Sequence, residues 1–343
     1  MSPGKYGVTD QMARPVLSVC IPTYNRCRYL QKTLAMLTAE QVFVSSDDVE
    51  IVISDNCSQD ETYEVCKEFV AKFAPKIKYF RQPENTGDKN FAAVLHMASG
   101  EYAKLNHDKI FFIPGKLTEF VDYLKNGDHD NIILLTNGAN RLSGICKCRN
   151  FDDILEAASY NITWIGAYCF KADLFKELPE PDRYADLNFS QIDILARLVA
   201  QGEKVTVYGA KIMEGLAVPT GDSHYVPQIF GHNYFRIMDE IYHQGLISAK
   251  VYEAHKKHTL LKYINKYHFA GRGLHFVKGG YFRFLLPIYG KKAYFWLDYV
   301  RCAVCSLLRC LVDIRKNKKP KTFSVYLFSK TVFTSKPEEN GHV

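Results

Sequence analysis

The stretch Leu17-Ser18-Val19-Cys20-Ile21-Pro22-Thr23-Tyr24-Asn25-Arg26 decides the fold when read with Val49-Glu50-Ile51-Val52-Ile53-Ser54-Asp55-Asn56-Cys57-Ser58-Gln59-Asp60. Each opens as a short, mostly apolar run rich in β-branched residues and closes in polar, turn-forming ones. That is the pattern of a buried strand delivering a polar loop. Between the two, Leu30, Leu34 and Leu37 recur at helical spacing. After the second, Ser58 to Glu61 has the form of a capping box and predicts that a helix opens there, with Val65, Phe69 and Phe73 as its apolar stripe. Ile77 to Phe80 reads as a third strand and Asn90 to Ser99 as a helix with Phe91, Val94, Leu95 and Ala98 inward. Gly100 stops that helix, and Tyr102 to Leu105 reads as a fourth strand. The rhythm β-α-β-α-β-α-β predicts an α/β, Rossmann-like architecture, a mostly parallel sheet with helices on both faces.

Beyond this block the pattern loosens. Leu117 to Lys125 and Phe189 to Ala200 predict helices. Asn131 to Thr136, Ile162 to Phe170 and Lys204 to Tyr208 predict strands, and Gly209 to Pro227 predicts a loop. From Ile229 the sequence is helical and aromatic. The predicted organisation is a flexible lead over 1–15, an α/β domain over 16–225, a helical, basic, aromatic-rich region over 226–322 and a tail over 323–343. Tyr294 to Lys316 predicts one helix in which Asp298, Arg301, Cys305, Arg309, Asp313 and Lys316 form a polar stripe.

Composition bounds the function. The 343 residues are 47% hydrophobic and 24% charged, which excludes a disordered chain, a collagen or a minimal disulfide scaffold. The net charge of +7 is uneven: residues 250–321 hold 17 Lys/Arg against three acids, a net +14 that leaves −7 for the rest. Such asymmetry points the basic part at an anion. The aromatic residues within 280–321 suit an anionic membrane surface, and no nucleic-acid motif accompanies the charge. The ten cysteines lack the two spaced pairs of a zinc ribbon and read as reduced thiols. Met1 to Arg14 has no apolar signal core, and no apolar run reaches the length of a membrane span. The expected location is the cytoplasm, peripheral on the inner face of the inner membrane.

In an open parallel sheet, ligands bind beyond the carboxyl ends of the strands. Those ends here are Pro22-Thr23-Tyr24-Asn25-Arg26, Asp55-Asn56, Asn85-Thr86-Gly87-Asp88-Lys89-Asn90 and Asn106-His107-Asp108. All are polar. No Gly-x-Gly-x-x-Gly, no phosphate-loop lysine motif and no Gly-x-Ser-x-Gly elbow is present.

The two opening stretches, with Asn85-x-Gly87, Gly100-Glu101-Tyr102 and the Asp108 region in order, resemble the family 2 glycosyltransferases over about residues 16–208. The resemblance implies a GT-A fold and transfer of a sugar from a nucleotide-sugar donor, with inversion, to a saccharide or lipid-linked saccharide acceptor. Bacterial surface polysaccharide, capsule or lipopolysaccharide, is the implied setting. It assigns Pro22, Thr23, Tyr24, Arg26, Asp55 and Asn56 to the nucleotide, and Lys89 and Asn90 to base and diphosphate. Where the family carries an Asp-x-Asp metal motif this chain reads Asn106-His107-Asp108, so Asp108 is the candidate ligand for Mg²⁺ or Mn²⁺ and Asn106 a neutral substitute on the donor. His224 and His232 are late candidates for metal or diphosphate. The general base falls on Asp193, with Asp186 and Gln191 as alternatives. Two rival readings stay open: a non-catalytic GT-A-fold protein that binds a glycan or a partner, and a sugar-phosphate nucleotidyltransferase.

Overall fold

The computed structural model describes residues 14–139, 142–216, 225–269, 280–315, 323–327 and 330–335, with backbone alone for 306–307, 309–315 and the last two strands. The chain divides into two compact units. The first comprises residues 1–147, 165–182 and 203–216; the second comprises 148–164, 183–202 and 217–343. The helix at 190–200, read from sequence as part of the first domain, therefore belongs to the second unit.

The first unit is built on strands β1 (Leu17–Thr23), β2 (Val49–Asp55), β3 (Ile77–Arg81), β4 (Tyr102–Leu105), β5 (Ile110–Phe112), β6 (Ile132–Leu135), β7 (Ile145–Cys148), β8 (Tyr168–Lys171), β9 (Val205–Tyr208) and β10 (Met213–Gly215). Eight of them form one sheet in the order β3-β2-β1-β4-β8-β6-β9-β7, flanked by helices. β1 runs parallel to β2 and β4, β2 to β3, and β6 to β9. β8 lies antiparallel between β4 and β6. β1 and β2 are buried at every position, which explains their near-continuous apolar sequence. The helix Cys27–Thr38 buries Leu30, Leu34 and Leu37 as its spacing predicts, each worth about 2 kcal/mol of apolar burial. Gly100 is required where β4 enters: a Cβ there would lie 2.7 Å from the Ser18 hydroxyl and 2.8 Å from its backbone nitrogen.

Register places the site. Thr23 pairs with Asp55, Asp55 with Arg81, and Cys20 with Leu105. The ends of β1, β2 and β3 and the residues just after β4 therefore share one edge of the sheet.

Several local expectations change. β1 continues through Pro22 rather than stopping at it. The capping box does not form: the helix begins at Thr62, because the Ser58 hydroxyl accepts from Asn25 N and the Asp60 carboxylate from Cys27 N. Residues expected as one strand over 162–170 instead make short 3₁₀ turns, Ser159–Thr163 and Ile165–Ala167, before β8. Part of the expected loop at 209–227 is β10, paired with β5. A strand, β7, and the helices Phe151–Ala158 and Ala172–Lys176 occur where no element was read.

The second unit is helical and aromatic, with helices including Ser190–Ala200, Tyr234–His243, Ala249–Thr259, Tyr281–Tyr289 and Ala293–Arg315. Its chain ends in a hairpin, β11 (Phe323–Leu327) and β12 (Lys330–Ser335), in the segment expected to be a tail. On helix Ala293–Arg315 the expected polar stripe divides where its side chains are described: Asp298 is buried and Arg301 exposed, Leu297, Val300 and Val304 are exposed beside them, and the side chains of Arg309, Asp313 and Lys316 lie outside the described ones. No described helix is long and apolar enough to cross a membrane.

Candidate active site

The shared edge gathers Thr23, Arg26, Asp55 and Asp108. Asp108 is buried at the end of β4, and the Thr23 hydroxyl donates to its Oδ2 at 3.1 Å. Arg26 Nη1 stands 3.4 Å from Oδ1, with its own side chain 37% exposed. The peptide of Asp108 is also held, since the Thr33 hydroxyl donates to its carbonyl oxygen at 2.9 Å. Lys109 is half-buried beside these groups, and its ammonium is pushed down by burial and by the neighbouring Arg26.

Asp55 is fully buried and is spoken for on both oxygens: Oδ1 accepts from Ser58 N at 2.9 Å and Oδ2 from the Tyr79 hydroxyl at 2.7 Å. Burial and this hydrogen bond raise the Tyr79 phenol. Tyr79 is thus a neutral donor fixing the carboxylate. The loops after β1 and β2 are stitched together. Asn25, in the left-handed region at φ 52°, accepts from Gln59 N at 2.7 Å through its side chain. The stitched loops leave Tyr24 40% exposed at the rim.

Asn56 and Asn90 order their surroundings. Asn56 Nδ2 donates to Asn85 Oδ1 at 2.8 Å and Gly87 O at 3.1 Å, and its Oδ1 accepts from Thr86 N at 2.9 Å. Asn90 is buried, accepting from the Ser54 hydroxyl at 2.6 Å and donating to Ser54 O at 2.9 Å. Lys89 is an exposed ammonium, 3.7 Å from Asp182. Pro22 lies inside β1.

Asn106 points into the protein. Its Nδ2 donates to His107 O at 3.0 Å and Ile110 O at 2.7 Å, closing the turn that carries Asp108. Its Oδ1 accepts from Lys104 Nζ at 3.1 Å. Lys104 is fully buried and has no carboxylate partner among the described residues; it also donates to Leu105 O at 3.1 Å and Gly166 O at 3.3 Å. Burial pushes its ammonium down to about 8. Sequence reading missed Thr33, Tyr79 and Lys104. Lys104 was the detectable one: a lysine in an otherwise apolar central strand has nowhere to put its charge but inside.

Among the described residues no three His, Cys, Asp or Glu converge as a preformed metal site. Asp108 and His107 do supply a pair. His107 Nδ1 lies 2.6 Å from Asp108 Oδ1 but lacks hydrogen-bond geometry, so it is a buried nitrogen without a hydrogen-bond partner. Mg²⁺-type ions need one or two carboxylates and complete their shell with phosphate and water. The residues fit an ion that arrives with a phosphate ligand.

In the second unit, Asp193 is buried on the first turn of helix Ser190–Ala200. Arg183 Nε and Arg197 Nε each donate to its Oδ2 at 3.0 Å, and Arg183 Nη2 donates to Oδ1. Both oxygens are occupied by guanidinium groups. Gln191 Nε2 donates to Thr163 O at 3.1 Å, and its buried Oε1 has no hydrogen-bond partner. Asp186 is exposed. His232 Nδ1 lies 3.1 Å from Asn233 Oδ1, and the ring packs edge-on to Phe284. His224 lies outside the described residues.

Comparison with known proteins fits this arrangement. The family described as Glycosyl transferase family 2 matches residues 18–147. An abequosyltransferase, RfbV, of Salmonella typhimurium is 40% identical over 88 residues, 25% of this chain and 26% of that protein. A GalNAc(5)-diNAcBac-PP-undecaprenol beta-1,3-glucosyltransferase of Campylobacter jejuni is 32% identical over 118 residues, 33% of this chain and 36% of that one. The chain thus spans about a quarter to a third of these relatives' length. Among solved structures, TarS of S. aureus aligns over 88% of this chain and 53% of its own, with TM-score 0.50 and 17% identity. The mannosyltransferase PcManGT of Pyrobaculum calidifontis, solved with GDP-Man and Mn²⁺, aligns over 91% of this chain and 85% of its own, with TM-score 0.52 and 14% identity. Residues 18–147 of this chain thus match the family 2 glycosyltransferase model, and the chain shares the GT-A fold of these solved structures.

Proposed function

We propose that the protein transfers a sugar from a nucleotide-sugar donor to a saccharide acceptor. The observation that carries this reading is the convergence of Thr23, Arg26 and Asp108 at one strand-end edge, beside a fixed Asp55. Arg26 and Lys109 supply positive charge where a leaving nucleoside diphosphate would develop negative charge, which is the kind of stabilisation that lowers such a barrier. Tyr24, exposed at the rim, offers a face for the base. Asp108, with His107 beside it, would hold Mg²⁺ or Mn²⁺, and a bound cation there would neutralise phosphate oxygens. Asn56, Lys89, Asn90 and Asn106 are read as the shell that shapes the donor loops.

Inverting transfer needs a base free to accept the acceptor's proton. Asp193 has both oxygens on arginine, so we assign that role to the exposed Asp186 and read Asp193 as an anchor of its helix. The undecaprenol-linked substrate in the Campylobacter protein's name supports a lipid-linked saccharide acceptor, and we read the setting as bacterial surface polysaccharide. Residues 280–321 are read as facing an anionic membrane surface, which would place the enzyme peripherally at its acceptor.

Thermal-shift titration with nucleoside diphosphates, with and without Mn²⁺, followed by donor hydrolysis, tests the assignment. A shift with at least one nucleotide and turnover of its sugar conjugate are expected. A nucleotide shift without turnover on any acceptor would favour the binding-protein reading, which the Gln at 191 also supports.

A further inference from the structure

Among the described side chains, helix Ala293–Arg315 is seated by Phe295, Asp298 and Tyr299. Phe295 and Tyr299 are buried, with Phe295 stacked on Tyr289 and Tyr281 and Tyr299 edge-on to Phe269. Asp298 is turned inward too, accepting from Asn265 Nδ2 at 2.6 Å and from Arg301 Nε at 2.7 Å. The opposite face is apolar and open. Leu297 is 73% exposed, Val300 57%, Val304 49% and Leu308 55%. Their spacing of three and four residues makes one continuous stripe about 17 Å long. Trp296 and Leu286 extend it sideways at 38% and 40% exposure, and the Trp296 indole N–H is satisfied by Gly290 O at 2.9 Å.

A soluble helix normally hides its large apolar side chains; this one exposes Leu297, Val300, Val304 and Leu308 and buries Asp298. Arg301 on the same helix, and Arg283 and Lys291 shortly before it in the chain, are exposed. The surrounding sequence, residues 250–321, carries a net +14. That charge selects the occupant. A second copy would bring like charge against like charge, whereas an anionic bilayer offers both hydrocarbon and counter-charge. The helix is not long and apolar enough to span.

We propose that Leu297, Val300, Val304 and Leu308 enter the interface of an anionic bilayer, with the helix lying in the membrane plane and Arg283, Lys291 and Arg301 on lipid phosphates. This rests on the reading of 280–321 as a lipid-facing segment and commits it to one helix face.

The test is flotation of the full chain with vesicles of phosphatidylcholine alone or mixed equally with phosphatidylglycerol, at 0.1 M salt. Binding to the anionic vesicles at least about tenfold stronger than to the neutral ones is expected. The double variant L297E/V304E should lose that binding by about tenfold or more, and the milder L308S should lose part of it. Both change exposed positions, so the variants should keep the wild-type Tm. Nucleotide-induced thermal shift, measured on the same variants, should be unchanged and reports separately on the catalytic reading. The proposal is overturned if the wild type ignores anionic vesicles or if L297E/V304E floats as well as wild type. It is equally overturned if light scattering finds a wild-type dimer that the double variant makes monomeric, which would give the face to a second copy.

Discussion

Asp108 and Asp193 are both carboxylates with side chains about 3–4% exposed beside arginine, one in each unit, yet their surroundings differ in kind. Asp108 has a hydroxyl, a guanidinium at 3.4 Å that is itself a third exposed, and an imidazole in contact without a hydrogen bond. Each of those partners can yield to a ligand. Asp193 is gripped by two arginines, one of them four residues on along the same helix. Its bonding capacity is spent inside the protein. Burial and charge are alike; the remaining freedom of the lone pairs separates the proposed site from the proposed anchor.

The comparison can be broken by substitution. The largest effect expected is on turnover in D108N, a fall of about 10²–10³-fold with Tm within a few degrees of wild type. D193N should do the opposite. It strands two guanidinium groups and, allowing for their partial exposure, costs about 2–3 kcal/mol, read as a lowered urea midpoint. If D193N folds as stably as wild type while D108N unfolds, the assignment of site and anchor is reversed. D186N sharpens the same contrast, with kcat down about 10²-fold or more at unchanged stability. An unaltered kcat removes Asp186 as the base.

A smaller effect concerns Lys104. Its ammonium titrates near 8 in the fold because it is buried, against about 10.4 unfolded. Between those values the unfolded chain holds the proton that the native state has released, so stability rises with pH. From pH 7.5 to 9.5 the wild type should gain on the order of 1–2 kcal/mol relative to K104M in denaturant melts. Parallel curves would show that Lys104 keeps its proton. The smallest effect is T33V, which leaves a buried carbonyl of the Asp108 peptide unpaired, at about 1 kcal/mol. Nucleotide affinity should fall with it.

The first unit was legible because β1, β2, β4 and β6 are buried at every position and the polar strand ends fall in a fixed order. Leu17 to Thr23 and Val49 to Asp55 could be nothing but central strands. What hid was whatever depends on partners distant in sequence. Ser58 to Glu61 has a capping box in its letters, but Asn25 and Cys27, more than thirty residues away, take those side chains. Asp193 looked like a base because an acid on the first turn of a helix looks the same whether or not arginines claim it. Tyr79 and Thr33 carry no motif; only the sheet register and the helix seat bring them to Asp55 and Asp108. In helix 293–315 the period was visible, but which face points in is set by Tyr281, Tyr289 and Asn265.

The helix Cys27–Thr38 packs its leucines into the core and, through Thr33, holds the peptide of Asp108. If Asp108 serves the donor as proposed, core quality and ligand affinity are linked through this helix. A variant that loosens Leu34 would shift the helix seat and be noticed first as a weaker donor constant, before any loss of yield or melting temperature. On the proposed reading, selection for sugar transfer would also police the packing of a helix that presents no catalytic group, and attempts to retune donor choice could start from that hidden side of the loop.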